Sequence, residues 1–150
     1  MFIRMLFVFA TITIFALIIY VMPKRLSKLE MYVTSWFALY FALLTDVYLV
    51  LHHHLYGYFS EGVDYKAFLV FPLYPLYNII FLNYFPFGNL RKQLVYIVAN
   101  TIFLLLYEWF ISHTEAFYHN GWKLWYSAFV YPLVLYVLAW NLKIVRRLNG

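Results

Sequence analysis

The stretch QLVYIVANTIFLLLYEWFIS, residues 93–112, decides the fold class of this chain. It is twenty residues long and carries a single charged side chain, that of Glu108. Its apolar residues follow one another without the alternation of polarity that is typical of a membrane β-strand. About twenty helical residues cross the hydrocarbon core of a bilayer, so the stretch predicts a transmembrane helix.

Four further stretches have the same character, and the composition agrees with a membrane protein. Hydrophobic residues make up 66% of the chain and charged residues 11%, whereas soluble domains usually have about 25% charged residues. A chain of 150 residues cannot bury so much apolar surface in one core. We therefore predict an all-α integral membrane protein, a bundle of five helices in one domain, with spans over residues 2–22, 31–51, 67–85, 93–112 and 123–142.

Basic residues predict the orientation of this bundle. Eight of them flank one end of the spans and three flank the other, and positive charge marks the cytoplasmic side. The N-terminus is therefore expected outside and the C-terminus in the cytoplasm. The eight are Lys24, Arg25, Lys28, Arg91, Lys92, Lys143, Arg146 and Arg147, and the three are Arg4, Lys66 and Lys123.

Polar side chains inside the spans fall into two layers. Asp46 and Glu108 each lie fifteen residues from the inner end of their span, or about 22 Å at 1.5 Å per residue. Asn78 and Asn100 each lie seven residues from the inner end, or about 10 Å. Intramembrane acids are costly and often functional. The alternative is that the acids anchor the fold and the asparagines hydrogen-bond across helices.

The spacing of these residues predicts which helix faces pack together. Residues four apart share a helix face, and small residues on that face allow close approach of a neighbouring helix. We therefore expect spans two, three and four to surround a polar seam that Asp46 and Glu108 share. The ladders are Thr34, Ala38, Ala42 and Asp46 in span two, Tyr74 and Asn78 in span three, and Tyr96, Asn100, Leu104 and Glu108 in span four.

The histidines all lie on the predicted outer side, where they form a cap with Trp122. Imidazole and carboxylate groups bind divalent cations, so His53 and His113 are candidate metal ligands above the two acids. Alternatively, neutral histidines simply suit the interface, or they respond to pH. No other cofactor is predicted. The remaining members of this cap are His52, His54 and His119.

Two prolines, Pro72 and Pro75, fall near the start of span three. Proline is tolerated in ordinary spans as a kink, which we expect here. The alternative is a broken helix of the kind that lines substrate sites in transporters.

Several segments together resemble a family of small multi-spanning membrane proteins found in endospore-forming Bacillus and Clostridium relatives. They are TDVYLVL, NIIFLNYFP, YEW and YHNGWKLWYS, and the resemblance runs from span two to the C-terminus. It implies a bacterial plasma-membrane protein with a compact helical bundle. The family is uncharacterised, so the resemblance implies no activity, substrate or cofactor.

The sequence favours a non-enzymatic multi-pass membrane protein that acts through a partner protein or as an accessory subunit, since no catalytic motif is present. The first alternative is a proton- or cation-handling protein that uses Asp46 and Glu108. The second is a metal-dependent membrane enzyme. Expected partners are the lipid bilayer and either a second protein or further copies of this chain, with no nucleic acid.

Overall fold

The computed structural model consists of five helices and one short antiparallel strand pair. It describes residues 2–48, 56–58, 68–113, 117–119, 121 and 123–149. The elements in chain order are α1 (Phe2–Val21), α2 (Lys28–Asp46), β1 (Tyr56–Tyr58), α3 (Leu73–Asn83), α4 (Leu90–Ser112), β2 (Phe117–His119) and α5 (Leu124–Asn149).

The five predicted helices are therefore present, but they differ in length from the predicted spans. Among the described residues, only α4 and α5 are long and apolar enough to cross a membrane. α5 continues to Asn149, beyond the predicted end at residue 142, so that Arg146 and Arg147 lie in its last turn. α2 begins at Lys28, where Ser27 and Glu30 form a capping box.

α3 differs most from its prediction, since it covers 11 residues of the predicted span 67–85. At 1.5 Å per residue it is about 16 Å long, roughly half the thickness of a bilayer core. Pro72 is its N-cap and Pro75 lies in its first turn, so neither proline kinks the helix. Backbone N–H groups of Leu73, Tyr74 and Leu76 donate to Val70, Phe71 and Pro72 carbonyls, so this helix start leaves no donor unsatisfied.

A short strand pair accompanies the five helices in the described part of the chain. β1 and β2 run antiparallel, with Tyr56 opposite His119 and Tyr58 opposite Phe117. They connect the segment after α2 with the segment before α5. Each strand contains two aromatic residues, and aromatic residues are common in strands and at membrane interfaces alike, so the sequence did not indicate so short a ladder.

The helices surround a common centre. α3 packs against α1 and α2, α5 packs against α2 and α4, and α3 also touches α5. Side chains close the remaining boundary between α1 and α4, where the Phe7 ring lies 5.8 Å from that of Tyr107 and 5.2 Å from that of Phe110. The predicted seam of spans two, three and four is therefore incomplete, because α5 packs between α2 and α4. The fully buried core side chains include Phe81, Leu82, Leu135 and Leu142.

Two polar contacts hold the end of the bundle that carries most basic residues. Arg146 Nε donates to Glu30 Oε1 at 2.6 Å and thereby joins α5 to α2. Asn83, at the end of α3, accepts from the Arg25 N–H at 2.7 Å and donates to the Pro23 carbonyl at 3.0 Å. The two hydrogen bonds of Asn83 fix the linker between α1 and α2 against α3.

Glu30 lies just outside the predicted span 31–51, and its environment favours the ionised form. Burial acts to raise the pKa of Glu30, but hydrogen bonds from Arg146 and from the Ser27 backbone, together with the Arg146 charge, outweigh that effect. The pKa of Glu30 is therefore lower than its ordinary value.

Candidate functional site

All five helices line one central cavity of about 270 Å³. The polar residues that line the cavity lie near Asp46, Glu108 and Ser127 along their helices, whereas the residues that line the other end of the cavity are apolar. The polar lining residues are Thr45, Asp46, Tyr74, Tyr77, Tyr107, Glu108, Ser127 and Tyr131, and the apolar ones include Phe15, Ala38, Phe41, Ala42, Phe103, Leu104, Val134, Leu135 and Leu138.

Asp46 reaches the cavity from the last residue of α2. The small residues of its ladder permit this approach, since Thr34 and Ala38 are buried and Ala42 lines the cavity with Asp46. The Tyr74 hydroxyl of α3 donates to Asp46 Oδ2 at 3.1 Å. Tyr74 lies in the first turn of α3, so the proline-bounded start of that helix places the donor.

Glu108 reaches the same cavity from the C-terminal half of α4, and its exposed fraction is only 5%. The Tyr131 hydroxyl of α5 donates to Glu108 Oε2 in a short hydrogen bond. Ser127, one helical turn before Tyr131, is buried and hydrogen-bonds with the same phenol. α5 therefore supplies the groups that hold this carboxylate inside an apolar bundle.

The structure brings the two acids to the same place. Asp46 and Glu108 line one cavity, and both carboxylates interact electrostatically with the Tyr131 phenol. The equal depth counted from the sequence stays a prediction. A functional role for the pair is a separate question and stays a prediction.

The asparagines of the second layer have different surroundings. Asn100 Oδ1 accepts from the Tyr77 hydroxyl at 2.9 Å, and Asn100 Nδ2 donates to the Tyr96 carbonyl at 2.8 Å. Asn78 is 0% exposed, and neither atom of its amide has a hydrogen-bond partner within the part of the chain that the structure describes. Side chains of consecutive helical residues point about 100° apart around the helix axis. Because the Tyr77 side chain points towards Asn100 of α4, the Asn78 side chain points in another direction.

Most of the predicted outer cap lies outside the described residues, namely His52, His53, His54 and Trp122. The backbone of His119 is in β2.

His113 is exposed at the end of α4. Its Nδ1 lies 2.7 Å from the Trp109 carbonyl oxygen, and its ring centroid lies 4.6 Å from that of Trp109. It does not line the cavity. Within the described ranges, no group of three or more histidines and acids could hold a metal. The metal site of His53 and His113 stays a prediction, as does a bound divalent cation.

The sequence contained a signal for the missed residues of α5. Ser127, Tyr131 and Leu135 recur every four residues, like the polar ladders of spans two and four. A tyrosine is common at membrane interfaces, and sixteen tyrosines in the chain conceal the one that donates to Glu108.

No protein-family model, curated protein or solved structure matches the chain. The resemblance to the small membrane proteins of endospore-forming bacteria therefore stays a prediction.

Proposed function

We propose that the chain is a five-span protein of a bacterial plasma membrane that binds a proton or another cation between Asp46 and Glu108. The resemblance to the endospore-former family belongs to the same proposal. The observation that carries it is the convergence of two carboxylates from different helices on one central cavity. The accessory role that the sequence favours stays an alternative, in which the same polar groups serve the fold alone.

The outer surface supports the membrane assignment. Along α4 and α5, large apolar side chains point away from the bundle, and the four described tryptophans are each more than half exposed. Soluble proteins rarely expose contiguous apolar patches larger than a few hundred Å². Lipid is the solvent that such a surface suits. The four tryptophans are Trp36, Trp109, Trp125 and Trp140.

The polar contacts support the orientation proposed from the basic residues. The Glu30–Arg146 pair and the Asn83 contacts lie at the end that carries the eight basic residues, which positive charge marks as cytoplasmic. The two cavity acids lie towards the opposite end. Reporter fusions at the two termini should therefore report opposite sides, and two cytoplasmic reporters would exclude this topology.

The cavity supports cation binding through its charge. Two carboxylates that line one cavity add their negative potentials there, which attracts a positive charge. Tyr74 and Tyr131 each donate to one carboxylate oxygen and so hold these groups in place. A carboxylate has two oxygens with several lone pairs, so a carboxylate that accepts hydrogen bonds can bind a cation as well.

Carboxyl carbon NMR tests the proposal directly, because the chain has only six acidic residues and single variants assign each resonance. The purified protein in detergent micelles is titrated with acid and, separately, with sodium, potassium and ammonium chloride. We expect the Asp46 and Glu108 resonances to respond to the same ion, and Asp46→Asn to change the response of Glu108.

Glu30 is the matched control, since its carboxylate is bound to Arg146 away from the cavity. Its resonance should be unaffected by Asp46→Asn. Independent titration of Asp46 and Glu108, with no response of either to any cation, would remove the proposal.

A further inference from the structure

The shape and lining of the central cavity specify more than a small ion. Its volume of about 270 Å³ compares with roughly 150 Å³ for an engineered apolar cavity that binds benzene. Benzene has six non-hydrogen atoms, so a cavity of this larger volume suits, in proportion, a ligand of about eleven. A proton or metal ion alone would leave most of that space empty, or filled with water that meets few polar partners at the apolar end.

Aromatic rings form part of the cavity wall. The ring centroid of Tyr77 lies 6.2 Å from that of Phe15 and 6.3 Å from that of Phe103. The rings of Tyr77 and Phe103 are nearly parallel. All three residues line the cavity, and Phe41 adds a fourth ring from α2. Aromatic faces attract cations, and the attraction is stronger where water is excluded.

Charge and apolar surface therefore lie at different ends of one space. Asp46 and Glu108 are at the polar end, whereas Leu135 and Leu138 mark the opposite end along α5. A ligand that matches both ends carries a positive group on an apolar body. An anion would be repelled by the two carboxylates, and a neutral hydrocarbon would gain nothing from them.

We infer that the cavity binds a small organic cation, an inference that rests on the proposed cation site. The ammonium group of this ligand lies between Asp46 and Glu108, and its apolar body lies against the aromatic walls. The ligand class is a substituted ammonium ion with an aromatic or branched aliphatic group. Such ions partition into membrane interfaces, which gives them access to a bundle in lipid.

Benzyltrimethylammonium is a suitable probe, because it has eleven non-hydrogen atoms and a permanent charge. Its uncharged isostere neopentylbenzene has the same shape, and tetramethylammonium has the charge without the ring. Binding of each to the purified full chain in micelles is measured by ligand-observed NMR, with micelles alone as the blank. We expect benzyltrimethylammonium to bind at least about tenfold more tightly than either comparison compound.

Substitutions in the cavity test which residues contact the charged end of the ligand and which contact its apolar end. Glu108→Gln and Asp46→Asn should each weaken benzyltrimethylammonium binding at least about tenfold, because each removes a negative charge that attracts the quaternary ammonium. Phe103→Leu keeps the cavity wall apolar and should weaken benzyltrimethylammonium binding about two- to thirtyfold, which is the range of one cation–π contact. Glu30→Gln is the control and should leave binding unchanged. Circular dichroism of each variant verifies that its helices persist.

The outcomes separate this inference from the function it rests on. If the Asp46 and Glu108 resonances respond to protons or sodium while benzyltrimethylammonium does not bind, the cation site stands and the organic ligand is excluded. Equal affinity for benzyltrimethylammonium and neopentylbenzene would show a purely apolar pocket and overturn the inference. Unchanged binding in both carboxylate variants would also overturn it.

Discussion

The contact between Glu30 and Arg146 provides a quantitative test of how the bundle is held together. Arg146→Gln removes the guanidinium but keeps a polar side chain that suits a helix end. The substitution leaves Glu30 with its hydrogen bonds to Ser27, whose backbone N–H donates to Glu30 Oε2 at 2.7 Å. It also removes the contact of Arg146 with the Phe87 ring, whose centroid lies 4.9 Å from the guanidinium carbon.

The expected size of the effect follows from exposure. The side chain of Glu30 is 11% exposed and that of Arg146 is 40% exposed. Exposed ion pairs contribute about 0.2–1 kcal/mol, whereas hydrogen bonds to buried charged groups contribute about 1.5–3 kcal/mol. This pair lies between the two limits. We therefore expect Arg146→Gln to lower the free energy of unfolding by about 1–2 kcal/mol, part of which is the lost contact with Phe87.

A double-mutant cycle with Glu30→Gln isolates the ion pair from the ring contact. The assay is denaturant unfolding in mixed micelles, followed by circular dichroism. The coupling energy should be about 1 kcal/mol at neutral pH.

The pH dependence of this coupling has a definite sign. The pKa of Glu30 in the folded chain is lower than its ordinary value of 4.5, because its hydrogen bonds and the Arg146 charge outweigh burial. A carboxyl group of this kind stabilises the fold above its unfolded pKa, and the contribution disappears as pH falls through the folded pKa. The coupling should therefore be constant near neutrality and decrease below pH 4.5.

Arg147→Gln is the control, since Arg147 is an exposed basic residue in the same helical turn. It should change the free energy of unfolding by less than about 0.5 kcal/mol. Equal effects of Arg146→Gln and Arg147→Gln at neutral pH would refute the reasoning, and so would a coupling energy that does not decrease on acidification.

Three other substitutions test the cavity and the linker. Tyr131→Phe removes the hydroxyl that donates to Glu108 and should lower the free energy of unfolding by about 1.5–3 kcal/mol in the same assay. Ala42→Leu adds three carbon atoms to the cavity, so it should weaken benzyltrimethylammonium binding at least about tenfold with little loss of stability. Asn83→Ala removes both bonds to the α1–α2 linker and should lower the free energy of unfolding by about 1–3 kcal/mol.

Matched controls exist for all three. Tyr136→Phe and Val47→Leu change exposed positions of α5 and of the turn after α2, and Asn149→Ala changes an exposed asparagine. Each should leave stability and binding nearly unchanged. A control effect as large as that of its partner would contradict the contact assigned to that partner. Unaltered ligand binding in Ala42→Leu would show that the ligand does not occupy the cavity.

The sequence predicted the helices well where hydrophobic periodicity and depth are sufficient. The stretches that correspond to α1, α2, α4 and α5 were predicted within a few residues at most ends, because long apolar runs without alternating polarity favour helices. The equal depth of Asp46 and Glu108, counted from the fixed rise of an α-helix, stays a prediction.

Features that depend on tertiary contact could not be predicted in the same way. α3 begins late because Pro72 and Pro75 set its first turn, so the kink expected within a longer helix was wrong. The tyrosine that donates to Glu108 lies in α5, and its spacing from Ser127 indicates a shared helix face but not the carboxylate that this face meets. The Glu30–Arg146 pair joins residues 116 positions apart, which no local pattern encodes.

α5 supplies a partner to two carboxylates, Tyr131 to Glu108 and Arg146 to Glu30. Ribosomes make this helix after α2 and α4, so both acids are synthesised before those partners exist. The earlier helices therefore form an intermediate with two acids that lack these donors, and docking of α5 completes their environment. Biosynthesis that stalls ahead of α5 yields a loosely packed species, which quality-control proteases can distinguish from the finished bundle.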